Sequence, residues 1–138
     1  MSKTIVLTGA GGVLCSRLAE ALAENGHKIA VLDLRMEAAD SVVARIKANG
    51  GTAIGVEANV LEKDNLIRAK KRVNNTFGKI DILINGAGGN HPMGTTSNPF
   101  FKLEDLENKK KGFKSFFDLD PKGIEFTSVS HTHLTLPT

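Results

Sequence analysis

The chain has 138 residues, of which 41 % are hydrophobic and 24 % charged, and a formal net charge of +3. That length supports one domain with a real core, and so small a positive excess gives no ground for binding nucleic acid or an anionic membrane. The single cysteine excludes an internal disulfide and a CxxC metal site, and no apolar run approaches the ~18 residues of a membrane span.

Met1-Ser2-Lys3 leads directly into a strand. No signal peptide is therefore expected, and a cytoplasmic location is the default. The chain contains no tyrosine and no tryptophan, which narrows the possible catalysts.

Lys3 to Leu7 is short, apolar and β-branched, the pattern of a buried strand. Thr8-Gly9-Ala10-Gly11-Gly12 follows as a tight turn. Val13 to Asn25 is predicted as a helix, with Leu14, Leu18, Ala21 and Leu22 on its inward face and Gly26 as its stop. Lys28 to Leu34 is the next strand, with Asp33 near its end. Met36 to Asn49 is a second helix with Ala39, Val42, Val43 and Ile46 inward, stopped by Gly50-Gly51. Thr52 to Ala58 is a third strand, interrupted by Gly55. Leu61 to Phe77 is a third helix with Leu66, Ala69, Val73 and Phe77 on one face. Lys79 to Ile84 is a fourth strand, running into Asn85-Gly86-Ala87-Gly88.

The order is βαβαβαβ, and each strand-to-strand connection carries a helix. The fold class is therefore α/β, with parallel strands joined by right-handed crossovers. It is the first half of a doubly wound, Rossmann-type sheet with strand order 3-2-1-4. Gly89 to Gly123 is long, polar and irregular, the kind of segment that is functional or disordered. The expected division is a dinucleotide-binding unit over 1–88, an irregular region over 89–126, and a tail over 127–138.

A strand, a glycine-rich turn and a helix start together place a phosphate against exposed backbone amides. Asp33 lies 21 residues beyond Gly12, the spacing at which a carboxylate meets the adenosine ribose. The bland alternative is a tight βα turn beside a solvated strand-end acid.

Thr8-Gly9-x-x-Gly12-x-x-Cys15, together with Asn85-Gly86-Ala87-Gly88 and the nearby Asp81, resembles the short-chain dehydrogenase/reductase family. The resemblance covers residues 3 to about 90. Gly89-Asn90-His91-Pro92 and Phe116-Phe117-Asp118-Leu119 further resemble its sugar-acid branch, the D-mannonate oxidoreductase or fructuronate reductase group. Two departures stand out. The middle glycine of the family pattern comes one residue early, at Gly12, and Cys15 replaces the last one. Cys15 reads as a buried small hydrophobe.

The resemblance implies that Gly9, Gly11, Gly12 and Leu14 line the pyrophosphate and adjacent ribose, and that Asp33 takes the adenosine ribose. Asn59 and Val60 stand where the family has Asp-Val against the adenine. Asn85, Ala87 and Gly88 would flank the nicotinamide ribose, with Asn85 also bracing the central strands. Asp33 favours NAD over NADP, because a carboxylate repels a 2′-phosphate. Arg35 is the counter-evidence, since it could pair with that phosphate.

Other residues have plainer readings. His91 reads as a polar loop histidine, although it stands close enough to the motif to face a substrate. His27 is a turn residue. Lys109 to Lys111 is a solvated charge run. Phe113, Phe116 and Phe117 suggest a small satellite core or a surface covered by further chain. His131-x-His133 is too few ligands for a structural metal site, so no metal is expected.

The resembled family transfers hydride with a Ser, a Tyr and a Lys lying beyond where this chain stops. The phenol gives its proton to a developing alkoxide, and the lysine lowers its pKa. No catalytic residue is therefore expected here, and the chain is expected to be an N-terminal piece, inactive alone. Residues 127–138 resemble translated sequencing-adapter read-through. The parent would be an NAD-dependent reductase of a keto group on a small sugar-acid substrate, and a homo-oligomer. The alternative is a non-catalytic NAD(H)-binding module. The apolar fourth strand, left at an edge, is expected to promote aggregation.

Overall fold

A computed structural model of the chain describes residues 1–88, 95–98, 100, 102–107 and 112–122. The elements run β1 (Thr4–Thr8), α1 (Val13–Glu24), β2 (Lys28–Asp33), α2 (Met36–Ala48), β3 (Thr52–Glu57), α3 (Lys63–Phe77) and β4 (Ile82–Asn85). Short 3-10 turns follow at Leu103–Leu106 and Phe116–Asp118. The four strands form one parallel sheet in the order β3-β2-β1-β4. This is the doubly wound α/β arrangement that the alternation of strands and helices implies.

Alternation along β1 shows why the sheet has two covered faces. All five residues of β1 are buried, as expected for a central parallel strand. Ile5 and Leu7 point to one side, joining Ile29 and Val31 of β2 and the helical residues Ala19, Ala23, Ala39, Val42, Val43 and Ile46. Val6 points to the other, with Ala30, Leu32, Val56 and the α3 residues Ala69 and Val73. Successive residues of a strand face opposite ways, so α1 and α2 cover one side and α3 the other. Each fully buried Ile, Leu or Val in these layers contributes roughly 1.5–3 kcal/mol.

Two of the expected details need correction. The inward face of α1 is not Leu14, Leu18, Ala21 and Leu22. Its buried residues are Ser16, Ala19 and Ala23, while Leu14 is 81 % and Leu18 39 % exposed. Of the expected set, only Leu22 packs partly against the core. The helix starts directly from the glycine turn and so lies close to the sheet, where small side chains fit and leucines do not. The fourth strand also starts later than Lys79. Gly78 ends α3 at φ 86°, and the strand begins at Ile82, although Ile80 still packs against the α3 side.

The remaining helix faces agree with the periodicity. Ala39, Val42, Val43 and Ile46 are the buried residues of α2. Ala69 and Val73 are those of α3, and Phe77 is partly buried beside them. Gly26 and Gly50 adopt φ of 79° and 78° beyond α1 and α2, left-handed positions that glycine takes without a steric penalty.

Several expectations fall outside the described residues. These are the Gly89-Asn90-His91-Pro92 motif, the run Lys109 to Lys111, and the tail at 127–138 with its two histidines. No helix among the described residues is long and apolar enough to cross a membrane, and no group of His, Cys, Asp or Glu among them is placed to hold a metal ion.

Candidate dinucleotide-binding site

The carboxyl ends of β1 and β4 meet where the winding of the sheet reverses. In parallel α/β sheets, that crevice is where ligands bind. Here it is framed by two turns, one after β1 at Gly9 to Gly12 and one after β4 at Gly86 to Gly88.

The first turn is built on missing side chains. Gly9 has φ 62°, and a Cβ there would stand 2.8 Å from the backbone of Ala87 and from the Gly86 carbonyl oxygen. Gly11 packs against α2 and β2. A Cβ on it would lie 2.6 Å from the Ala38 Cβ and 2.8 Å from the Asp33 Oδ2. Gly12 is exposed and caps α1 without any side-chain hydrogen bond. The first amides of a helix have no partner within it, and α1 carries no acidic residue in its first turn. The positive end of the helix dipole is therefore not neutralised locally, as suits an anion. The exposed Val13 and Leu14 flank this end, at 91 % and 81 % exposure.

Asp33 closes the adjacent strand and reaches back to the turn. Its Oδ2 accepts from the Gly11 amide at 2.9 Å, and its Oδ1 accepts from the Arg35 amide at 3.1 Å. The carboxylate thereby holds the glycine turn in shape. Each oxygen keeps a lone pair for a further donor such as a ribose hydroxyl. Arg35 caps α2 through its backbone, and its side chain is exposed.

Asn59 and Val60 follow β3 at the same edge of the sheet. The Asn59 Oδ1 accepts from the Leu61 amide at 3.0 Å, and its Nδ2 donates to Glu62 Oε1 at 3.2 Å. Glu62 in turn accepts from the Asn65 side chain. The Asn59 amide group is thus already engaged in starting α3.

The turn after β4 is held by a residue to which sequence reasoning assigned no role. Thr8 is fully buried, and its hydroxyl oxygen accepts from the amides of Gly86 at 3.2 Å and Ala87 at 3.1 Å. The signal was the pairing register. Thr8 lies opposite Asn85, so its side chain meets the next amides along. Asn85 and Gly88 are exposed at the crevice, and Ala87 is half-buried.

The candidate residues therefore fall in two groups. Gly9, Gly11, Gly12, Leu14 and Asp33 gather with Asn85, Ala87 and Gly88 around the two turns. Asn59 and Val60 lie one strand further out, beyond β2. His27 is a turn residue, as expected, and its Nδ1 accepts from the Lys3 amide at 3.3 Å.

The fold is shared with known proteins. A family model described as short chain dehydrogenase matches residues 3–129. An uncharacterized oxidoreductase of Haemophilus influenzae is 46 % identical over 138 residues, covering 99 % of this chain and 47 % of the relative. The uncharacterized oxidoreductase UxuB of Bacillus subtilis is 46 % identical over 133 residues, covering 96 % of this chain and 45 % of the relative. A crystal structure with bound NAD, of a Haemophilus influenzae protein provisionally assigned as a D-mannonate oxidoreductase, superposes with a TM-score of 0.81 at 45 % identity. It covers 95 % of this chain and 46 % of that one. The chain spans about half the length of the curated relatives it matches.

Proposed function

Because this chain belongs to the short-chain dehydrogenase family, we propose that it holds the cofactor of an NAD-dependent oxidoreductase acting on a sugar acid. The substrate class is a small keto acid such as D-fructuronate, reduced to D-mannonate. The similarity to a D-mannonate oxidoreductase with bound NAD supports this reading. The reduced form, NADH, would supply the hydride when bound and leave as NAD, and the residues of this chain would bind and orient it.

In this reading the free amides at the start of α1, with Gly9, Gly11, Gly12 and Leu14, receive the diphosphate. Asp33 accepts from the adenosine ribose, and Asn59 and Val60 border the adenine. Asn85, Ala87 and Gly88 flank the nicotinamide ribose. The reading carries with it a cytoplasmic location and a homo-oligomeric whole enzyme.

The observation that carries the proposal is the Asp33 carboxylate, bonded at 2.9 Å to the glycine turn. A 2′-phosphate at that ribose would meet a negative charge, which favours NAD. The test is titration calorimetry with NAD and NADP on the chain and on its Asp33→Ala variant. NAD should bind more tightly than NADP. The variant should lose about tenfold to a hundredfold in NAD affinity, as expected for a hydrogen bond to a charged group, and should discriminate less. NADP binding more tightly than NAD would hand the ribose to Arg35 instead. Unchanged NAD affinity in the variant would overturn the assignment.

A second reading is a non-catalytic NAD(H)-binding module that senses the nucleotide. Both readings expect the chain by itself to bind NAD without turning over a keto acid.

A further inference from the structure

Position 15 and position 86 share a space that holds one side chain. The Cys15 thiol extends from the first turn of α1 over Gly86. A Cβ on Gly86 would stand 2.2 Å from the Cys15 sulfur and 2.7 Å from the Thr8 carbonyl oxygen. These are overlaps rather than contacts. Gly9 makes the reciprocal approach, pressed against Ala87 and the Gly86 carbonyl. The turn after β4 is exposed to solvent, yet at Gly86 it runs close to the Thr8 carbonyl, the Cys15 sulfur and Gly9.

We propose that Cys15 and Gly86 are a matched pair of positioning residues. The thiol fills the space that a side chain at 86 would take, and so sets the separation between the start of α1 and the turn after β4. Interiors are close-packed, and an added methyl group forces its neighbours to move. The role of Cys15 is steric. It lies where the resembled family carries a glycine, and the missing side chain at 86 offsets its bulk.

The proposal rests on the dinucleotide reading of the site, in which α1 receives the diphosphate and the turn after β4 the nicotinamide ribose. A wrong spacing between them should then harm a ligand that spans both more than one that occupies only the first. NAD spans both. ADP carries the adenosine and the diphosphate but no second ribose.

The test is a cycle of four chains: wild type, Cys15→Gly, Gly86→Ala and the double variant. Each is melted and titrated with NAD and with ADP. Gly86→Ala should lower the melting temperature and cut the ratio of NAD affinity to ADP affinity by about tenfold. The double variant should recover a large part of both, because it removes the overlap with the sulfur, the closer of the two, and leaves only the one with the Thr8 carbonyl. A Gly86→Ala chain that fails to fold while the double variant folds supports the proposal in its strongest form. A double variant no better than Gly86→Ala, or a Gly86→Ala chain that binds and melts as wild type, overturns it. A parallel loss of NAD and ADP affinity would reduce the pair to packing alone and overturn the positioning role. If wild type binds neither nucleotide, the dinucleotide reading falls and takes the positioning role with it, while the melting cycle still reports the shared space.

Discussion

Thr8 serves two amides with one hydroxyl oxygen, and it does so with no exposure to water. Replacing it with valine keeps the shape and removes the acceptor, leaving the Gly86 and Ala87 amides without that partner. Losing a hydrogen bond to such part-exposed amides costs roughly 0.5–1.5 kcal/mol. Thr8→Val should therefore lose about that much stability in urea unfolding, and NAD affinity should fall with it. An unchanged midpoint and slope would show that the hydroxyl is dispensable. This role was not legible in the sequence, because it depends on which residue of β4 lies opposite Thr8. Asp33 was legible, since its position at a strand end follows from local pattern alone. The structure adds that its carboxylate is an internal clasp on Gly11 as well as a candidate ribose ligand. Asn59 stands where the resembled family has its Asp against the adenine, yet its amide is drawn into the start of α3, a local competition that side chains of this type often enter.

Among the elements, α1 shows where periodicity misleads. Its leucines mark a regular apolar stripe, yet the residues that face the sheet are Ser16, Ala19 and Ala23. A stripe says that a face is apolar, and closeness of approach decides which face goes in. α2 and α3 have no such constraint at their starts, and their faces read correctly. α1 and α2 are also joined at the surface by charge. Glu20 accepts from Arg45 of α2 at 2.5 Å and from Arg17 at 3.1 Å. The Arg45 hydrogen bond is the largest cause that holds the Glu20 carboxyl below its ordinary value of 4.5; desolvation, next in size, opposes it, and the Arg45 charge, the Arg17 hydrogen bond and the Arg17 charge add to the lowering. A depressed carboxylate stabilises the folded chain above its unfolded pKa, and that contribution is lost as pH falls through the folded value. Wild type should therefore exceed Glu20→Gln in melting temperature near neutral pH, by the equivalent of at most ~1 kcal/mol for so exposed an arrangement. The difference should vanish as the pH is lowered through and below 4.5. A gap that persists in acid would point to packing rather than charge.

At the scale of the whole molecule, the sheet order was legible because a βαβαβαβ chain whose first turn is glycine-rich follows the Rossmann-type doubly wound pattern. The segment after Gly88 was not, because its residues follow neither helix nor strand period. Its described parts are held by side-chain bonds instead. Asn98 donates to Asp105 at 3.0 Å, and the Ser115 hydroxyl donates to Asp118 at 2.6 Å, contacts that leave no periodic trace. Within the described sheet, β4 pairs only with β1. Among the described residues its outer edge has no strand partner, and Leu14 and Leu18 of α1 are exposed. A net charge of +3 gives little repulsion between copies, and open apolar edges recruit other strands. The 138-residue chain should therefore self-associate at high concentration. Sedimentation velocity over a dilution series should show its mass rising, and a constant monomer mass would sink the expectation.

The rim of the sheet opposite the crevice is fastened differently. The Thr4 amide donates to the Asp81 carboxylate at 2.8 Å, and the Asp81 amide returns a bond to the Thr4 carbonyl at 2.9 Å. The entry into β4 is thus buttoned to the fourth residue of the polypeptide. An affinity tag fused ahead of Met1 leaves that fastening alone. Proteolytic trimming that removes Thr4 undoes it, and the strand that follows Asp81 would be the first to peel away.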